Sequence, residues 1–140
     1  GAYVWHPETD ELDASILLHA ISGFDRGERM RRTLDALDAE LGQGPHLVRW
    51  SGAEREESSF VACSFWMVAA RALCGQVDEA RQRMEALLAE APNDVGLLSE
   101  MLEPETGAFL GNLPQALSHL ALAQAAITVQ AAERDAGDGS

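Results

Sequence analysis

The stretch from about Ser58 to Cys74, S-S-F-V-A-C-S-F-W-M-V-A-A-R-A-L-C, limits what this chain can fold into more than any other. Read as a helix, it carries Phe60, Val61, Cys63, Phe65, Trp66, Met67 and Val68 around most of its circumference. A helix that is apolar nearly all round has no face for water, so other helices must wall it in. The flanking sequence offers them. Glu11 to Ser22 places Leu12, Ile16, Leu17, Ala20 and Ile21 at helical spacing, with Thr9 or Asp10 as N-cap and Gly23 as the stop. Asp25 opens a second helix over about Arg26 to Leu41, whose stripe of Met30, Leu34, Leu37 and Leu41 marks one buried side. After Gly75, Val77 to Ala91 reads as an amphipathic outer partner, and Pro114 starts a last helix through about Glu133. Its expected core positions are Leu117, Leu120, Ala121, Ala125 and Ile127.

Five helices alternating between apolar and amphipathic predict an all-α fold of stacked helical hairpins. Residues 1–134 form one domain and residues 135–140 a frayed tail. A single tetratricopeptide-like stretch, A-R-A-L-C-G-Q-V-D-E-A-R, has no second copy, which argues against a repeat solenoid. Two segments fall outside the helices. His46 to Trp50, H-L-V-R-W, reads as extended, and Asn93 to Pro114 reads as a long loop without regular structure.

Charge excludes whole classes of partner. Ten arginines against 23 acidic residues give a formal charge of -13, which repels phosphate backbones and anionic lipid surfaces. No apolar run approaches the roughly 20 residues of a membrane span. Cys63 and Cys74 lie roughly 16 Å apart along one helix, out of disulfide reach, and free thiols suit a reducing, cytoplasmic setting.

The chemistry-bearing residues narrow the choice. His6, His19, His46 and His119 are scattered without zinc-ligand spacing, and neither a glycine-rich phosphate cradle nor another cofactor motif occurs. His119 reads as a hydrogen-bonded core histidine, and Glu56-Glu57 as a dipole-stabilising pair at a helix start. Arg49 and Trp50 together offer a guanidinium fork and a stacking face for a flat polar ligand. The alternative is that Trp50 packs on the core while Arg49 pairs with an acid. The loop contributes Asp94, Glu100, Glu103 and Glu105. Paired carboxylates across a pocket are the machinery of glycosidic-bond hydrolysis.

The segments E-L-D-A-S, R-W, E-E-S-S-F-V-A-C-S-F-W, G-Q-V-D-E-A-R, N-D-V-G-L-L-S-E and L-G-N-L-P-Q-A-L-S-H occur in this order over nearly the whole chain. In this the sequence resembles glycoside hydrolase family 15, the glucoamylase-like and trehalase-like enzymes. The resemblance covers the C-terminal part of that family's catalytic domain and implies a partial (α/α)6 barrel. It also implies an inverting mechanism on terminal α-glucosyl bonds. By the same resemblance Glu100 is the general base and Arg49 hydrogen-bonds the sugar, while Trp50 stands where the family often has tyrosine. Met101 departs from the family's polar residue, and nothing here matches the W-E motif that carries the general acid. The expectation is therefore a glycosidase portion, inactive alone, whose substrate is an α-glucoside or oligosaccharide once the missing N-terminal portion joins it. The alternative is a standalone helical binding module that forms homo-oligomers through exposed inner helices.

Overall fold

The apolar stretch forms α3 (Val61–Leu73), in which every residue except Trp66 and Leu73 is buried. The structure is a computed structural model that describes residues 1–53, 57–90 and 96–138. Around α3 pack α1 (Leu17–Ser22), α2 (Glu28–Leu41), α4 (Val77–Glu90) and α5 (Ala116–Asp138). The all-α stack expected from the sequence is what forms. Met30, Leu34, Leu37 and Leu41 of α2 are all buried, as is the α1 row of Leu17 and Ala20. Gly23 closes α1 at φ 85°, a left-handed conformation that favours glycine.

Charge fastens three of these helices together. Arg71 of α3 donates to Asp38 at 2.6 Å and to Asp35 at 3.2 Å, both on α2. Arg83 of α4 reaches the other oxygen of Asp38 at 2.6 Å and the carbonyl of Pro45 at 2.8 Å. Burial pulls the Arg83 guanidinium below its ordinary pKa, and the Asp38 charge opposes that pull.

Several boundaries differ from the sequence reading. The first helix does not begin at Glu11. Leu12 and Asp13 are extended against Ser51 and Trp50, and Asp13 caps a short 3-10 turn, Ala14–Ile16, by accepting from the Ser15 amide. His46 to Trp50 is extended as expected: β1 (Gly42–Gln43) pairs antiparallel with β2 (His46–Leu47), and Asp13 forms a bridge with Trp50. Residues 58–60 are not helical, because β3 (Ser59–Phe60) pairs with β4 (Met101–Leu102), which pairs in turn with β5 (Phe109–Leu110). The long loop is therefore not without regular structure. Its described part, from Gly96 on, holds a hairpin turning at Pro104–Gly107, while Asn93 and Asp94 lie outside the described residues.

The last helix starts at Ala116, beyond Pro114, and runs on to Asp138. Its buried face matches the expected one only at Ala121 and Ala125. Ser118, Ala121, Ala125 and Val129 are buried, whereas Leu117, Leu120 and Ile127 are exposed, the last two at 68%. Small side chains let the α5 backbone come close to α3, and the large ones are left on the outer side. Ala125→Leu should then lower the free energy of unfolding by about 1–3 kcal/mol through overpacking, read as a shift in urea midpoint. Ile127→Ala on the outer side should change it little. No helix among the described residues is long and apolar enough to cross a membrane.

Candidate active site

Arg49 is held from three directions. Its Nε donates to Glu57 Oε2 at 3.0 Å, and its Nη2 lies 2.7 Å from both Glu57 oxygens. Its guanidinium carbon lies 4.5 Å from the Trp50 ring centre and 4.8 Å from that of Phe60. An arginine fixed by a carboxylate fork and two aromatic faces loses little further freedom when it binds a ligand. Arg49 thus pairs with an acid, as the second sequence reading has it, and it also borders a cleft. Glu56, the neighbour in the expected dipole pair, lies outside the described residues.

The cleft has a volume of about 370 Å³ and is lined by Asp13, Ser15, Arg49, Trp50, Phe60, Cys63, Trp66 and Leu117. That is within the size range of small-molecule sites, and its lining of two indoles with a few polar groups is of the usual kind. Burial pushes the Cys63 thiol from its ordinary 9.0 up to about 12, helped by the charge of Asp13 and opposed by that of Arg49. Raising the folded-state pKa means that this contribution to stability is complete below pH 9. It is lost as pH climbs from 9 towards 12. Urea midpoints measured across the alkaline range should fall more steeply for the native chain than for Cys63→Ala. Both cysteines are buried free thiols, so Cys63 should resist thiol reagents until the chain unfolds.

Glu100 stands at the start of β4 and is half-buried. Its Oε2 accepts from the Asn112 amide at 3.1 Å and from the Asn112 side-chain amide at 3.2 Å. Its own backbone N–H donates to the Asn112 carbonyl at 2.9 Å, so two residues of the hairpin clasp each other. Among the described residues Oε1 has no hydrogen-bond partner, which leaves one oxygen able to take a proton from water. Gly111 makes this possible. A Cβ there would lie 2.6 Å from Glu100 Oε2, and its φ of 72° already favours glycine.

Glu100 does not line the Arg49 cleft. The two meet at one junction instead: Arg49 lies over the Phe60 ring, and the next residue, Val61, donates its N–H to the Glu100 carbonyl at 3.0 Å. Of the other candidate carboxylates, Glu103 accepts from Ser58 and Glu105 is exposed. His119 is satisfied on both ring nitrogens, donating from Nδ1 to the Gln115 carbonyl and accepting at Nε2 from the Leu98 amide. Asp13, Glu57 and Trp66 were not singled out from the sequence as site residues. The D-x-S cap signature at Asp13 was there to be read, but nothing local could show that it would meet Trp50. Among the described residues no group of three potential ligands could hold a metal ion.

The chain is similar to trehalases. It is 38% identical over 135 residues to the trehalase of Mycolicibacterium smegmatis, covering 91% of this chain and 20% of that protein. The trehalase of Mycobacterium tuberculosis is 36% identical over 144 residues, 97% of this chain and 21% of its own length. The trehalase of Thermoplasma acidophilum is 34% identical over 132 residues, 90% of this chain and 22% of its own. The chain thus spans about a fifth of the length of the curated relatives it matches. No protein-family profile matches it, and no solved structure matches it.

Proposed function

We propose that this chain is the C-terminal portion of an inverting α-glucosidase-type hydrolase of the family 15 kind, acting on trehalose or a related α-glucoside. The observation that carries the reading is similarity to trehalases across nine-tenths of the chain or more. Glu100 serves as general base, its Oε2 fixed by Asn112 and its Oε1 turned to an attacking water. Arg49 hydrogen-bonds the sugar and Trp50 provides a stacking wall. None of the tryptophans in these 140 residues is followed by glutamate, so the proton donor comes from polypeptide beyond them. In an inverting enzyme that acid stands roughly 6.5–9.5 Å from the base, leaving room for the water. We read residues 1–134 as part of an (α/α)6 barrel, working in the cytoplasm, where the buried thiols stay reduced.

The test is reconstitution. The isolated chain should not hydrolyse trehalose or maltose, and hydrolysis should appear when it is co-expressed with the N-terminal four-fifths of a trehalase relative. Robust turnover by the isolated chain, or none on reconstitution into a stable complex, would sink the reading. The exposed α5 row of Leu117, Leu120 and Ile127 favours a second one, a module that self-associates through that helix. Light scattering after size exclusion separates the two. A concentration-dependent dimer that Leu120→Glu dissolves supports self-association, and a monomer counts against it.

A further inference from the structure

We propose that Asp13 determines specificity in the Arg49 cleft, accepting a hydroxyl of a neutral sugar ring and turning away phosphorylated sugars. The inference rests on the carbohydrate reading above and deepens it. Asp13 is fixed at both its backbone and its side chain. The bridge to Trp50 sets the backbone, with Ala14 N–H to the Arg49 carbonyl at 2.7 Å and Ser51 N–H to the Leu12 carbonyl at 3.0 Å. The side chain is set by the Ser15 amide, 2.7 Å from Oδ1. Among the described residues Oδ2 has no partner, and Asp13 lines the cleft together with Arg49, Trp50 and Trp66. An immobile acceptor in a cleft lined by two indoles, beside an arginine whose Nε and Nη2 are taken by Glu57 and whose Nη1 is, among the described residues, left to donate, suits a ring bearing several hydroxyls.

Charge decides which ring. Arg49 would attract a phosphate if it stood alone, but Glu57 already holds it through both carboxylate oxygens. Asp13 adds a second negative charge at the same cleft. Among the described residues at the cleft, the charge of Arg49 is already matched by Glu57 behind it, and Asp13 on the cleft wall tips the balance to negative. A phosphomonoester would then meet repulsion instead of a free guanidinium, whereas a neutral sugar feels none.

The experiment titrates the 140-residue chain with trehalose and separately with trehalose 6-phosphate, following the indole N–H signals of Trp50 and Trp66 by NMR. The native chain should respond to trehalose and bind the phosphate at least about tenfold more weakly, the size of one charged contact. Asp13→Asn keeps an N-cap acceptor, so the fold is retained. It should weaken trehalose by about tenfold and narrow the gap between the two sugars. A salt titration on the native chain reads the same repulsion without any substitution: added salt should also narrow the gap. Equal affinities of the native chain and Asp13→Asn for both sugars, or a gap indifferent to salt, would overturn the role of Asp13 and leave the sugar site standing. Silence of both indole signals with either sugar would overturn the site as well.

Discussion

Replacing Asp38 with alanine should lower the free energy of unfolding by up to about 3 kcal/mol, the lower end of the loss when a buried ion pair is broken from one side, because Asp38 itself is 30% exposed. Each oxygen of this one carboxylate takes a different guanidinium, Arg83 on Oδ1 and Arg71 on Oδ2, both at 2.6 Å. Both arginine side chains are only 9% exposed, so neither can turn to water when the carboxylate goes. Arg83 keeps the Pro45 carbonyl and Arg71 keeps Asp35 and Gln76, which places the loss below that of two wholly stranded charges. Asp35 is the control. Its side chain is 65% exposed, and Asp35→Ala should stay within about 1 kcal/mol, as surface pairs do. Denaturant midpoints measured on both variants check the contrast. Equal losses would show that the clamp is not centred on Asp38.

Glu100→Gln should lower kcat of the reconstituted hydrolase by about 10²- to 10⁴-fold while leaving the fold intact, because general base catalysis is worth that much. Glutamine still offers an acceptor to Asn112, so the hairpin clasp survives and thermal stability should barely change. KM should move little if, as proposed, Arg49 and Trp50 and not Glu100 hold the sugar. Gly111→Ala is the companion substitution. It should harm both properties, because the added methyl meets Glu100 Oε2 and Cβ and the backbone there has positive φ. Unchanged kcat in Glu100→Gln would remove Glu100 from the reaction.

The helices were legible wherever side chains report their own burial. The apolar circumference of α3 at Val61, Cys63, Phe65, Met67 and Val68 and the Met30–Leu34–Leu37–Leu41 stripe of α2 need no partner to be read as inward. The orientation of α5 was legible only in part: Ala121 and Ala125 are buried as expected, but Leu117, Leu120 and Ile127 are not. Leucine and isoleucine are the most apolar residues on it, yet the face it buries is chosen by how near α3 must come, which Ala121 and Ala125 permit. The hairpin was missed for a related reason: its strands are two residues long, too short for alternation to show, although P-E-T-G between M-L and F-L is a turn signal. At the site, Arg49 beside Trp50 was legible from side-chain chemistry, whereas Glu100 was set apart from the other loop acids only by a resemblance. Glu57 escaped because a fork between residues eight apart in sequence depends on how the chain folds back after Trp50.

The pairing of Ser59 with Leu102 has a kinetic consequence. It joins residues 43 apart and fastens the segment after α4 back to the start of α3, so the whole α3–α4 hairpin lies inside the ring it closes. Local helix contacts form first, and a closure of that span follows them. The small sheet should therefore act as a late latch, governing how quickly the chain comes apart far more than how quickly it comes together.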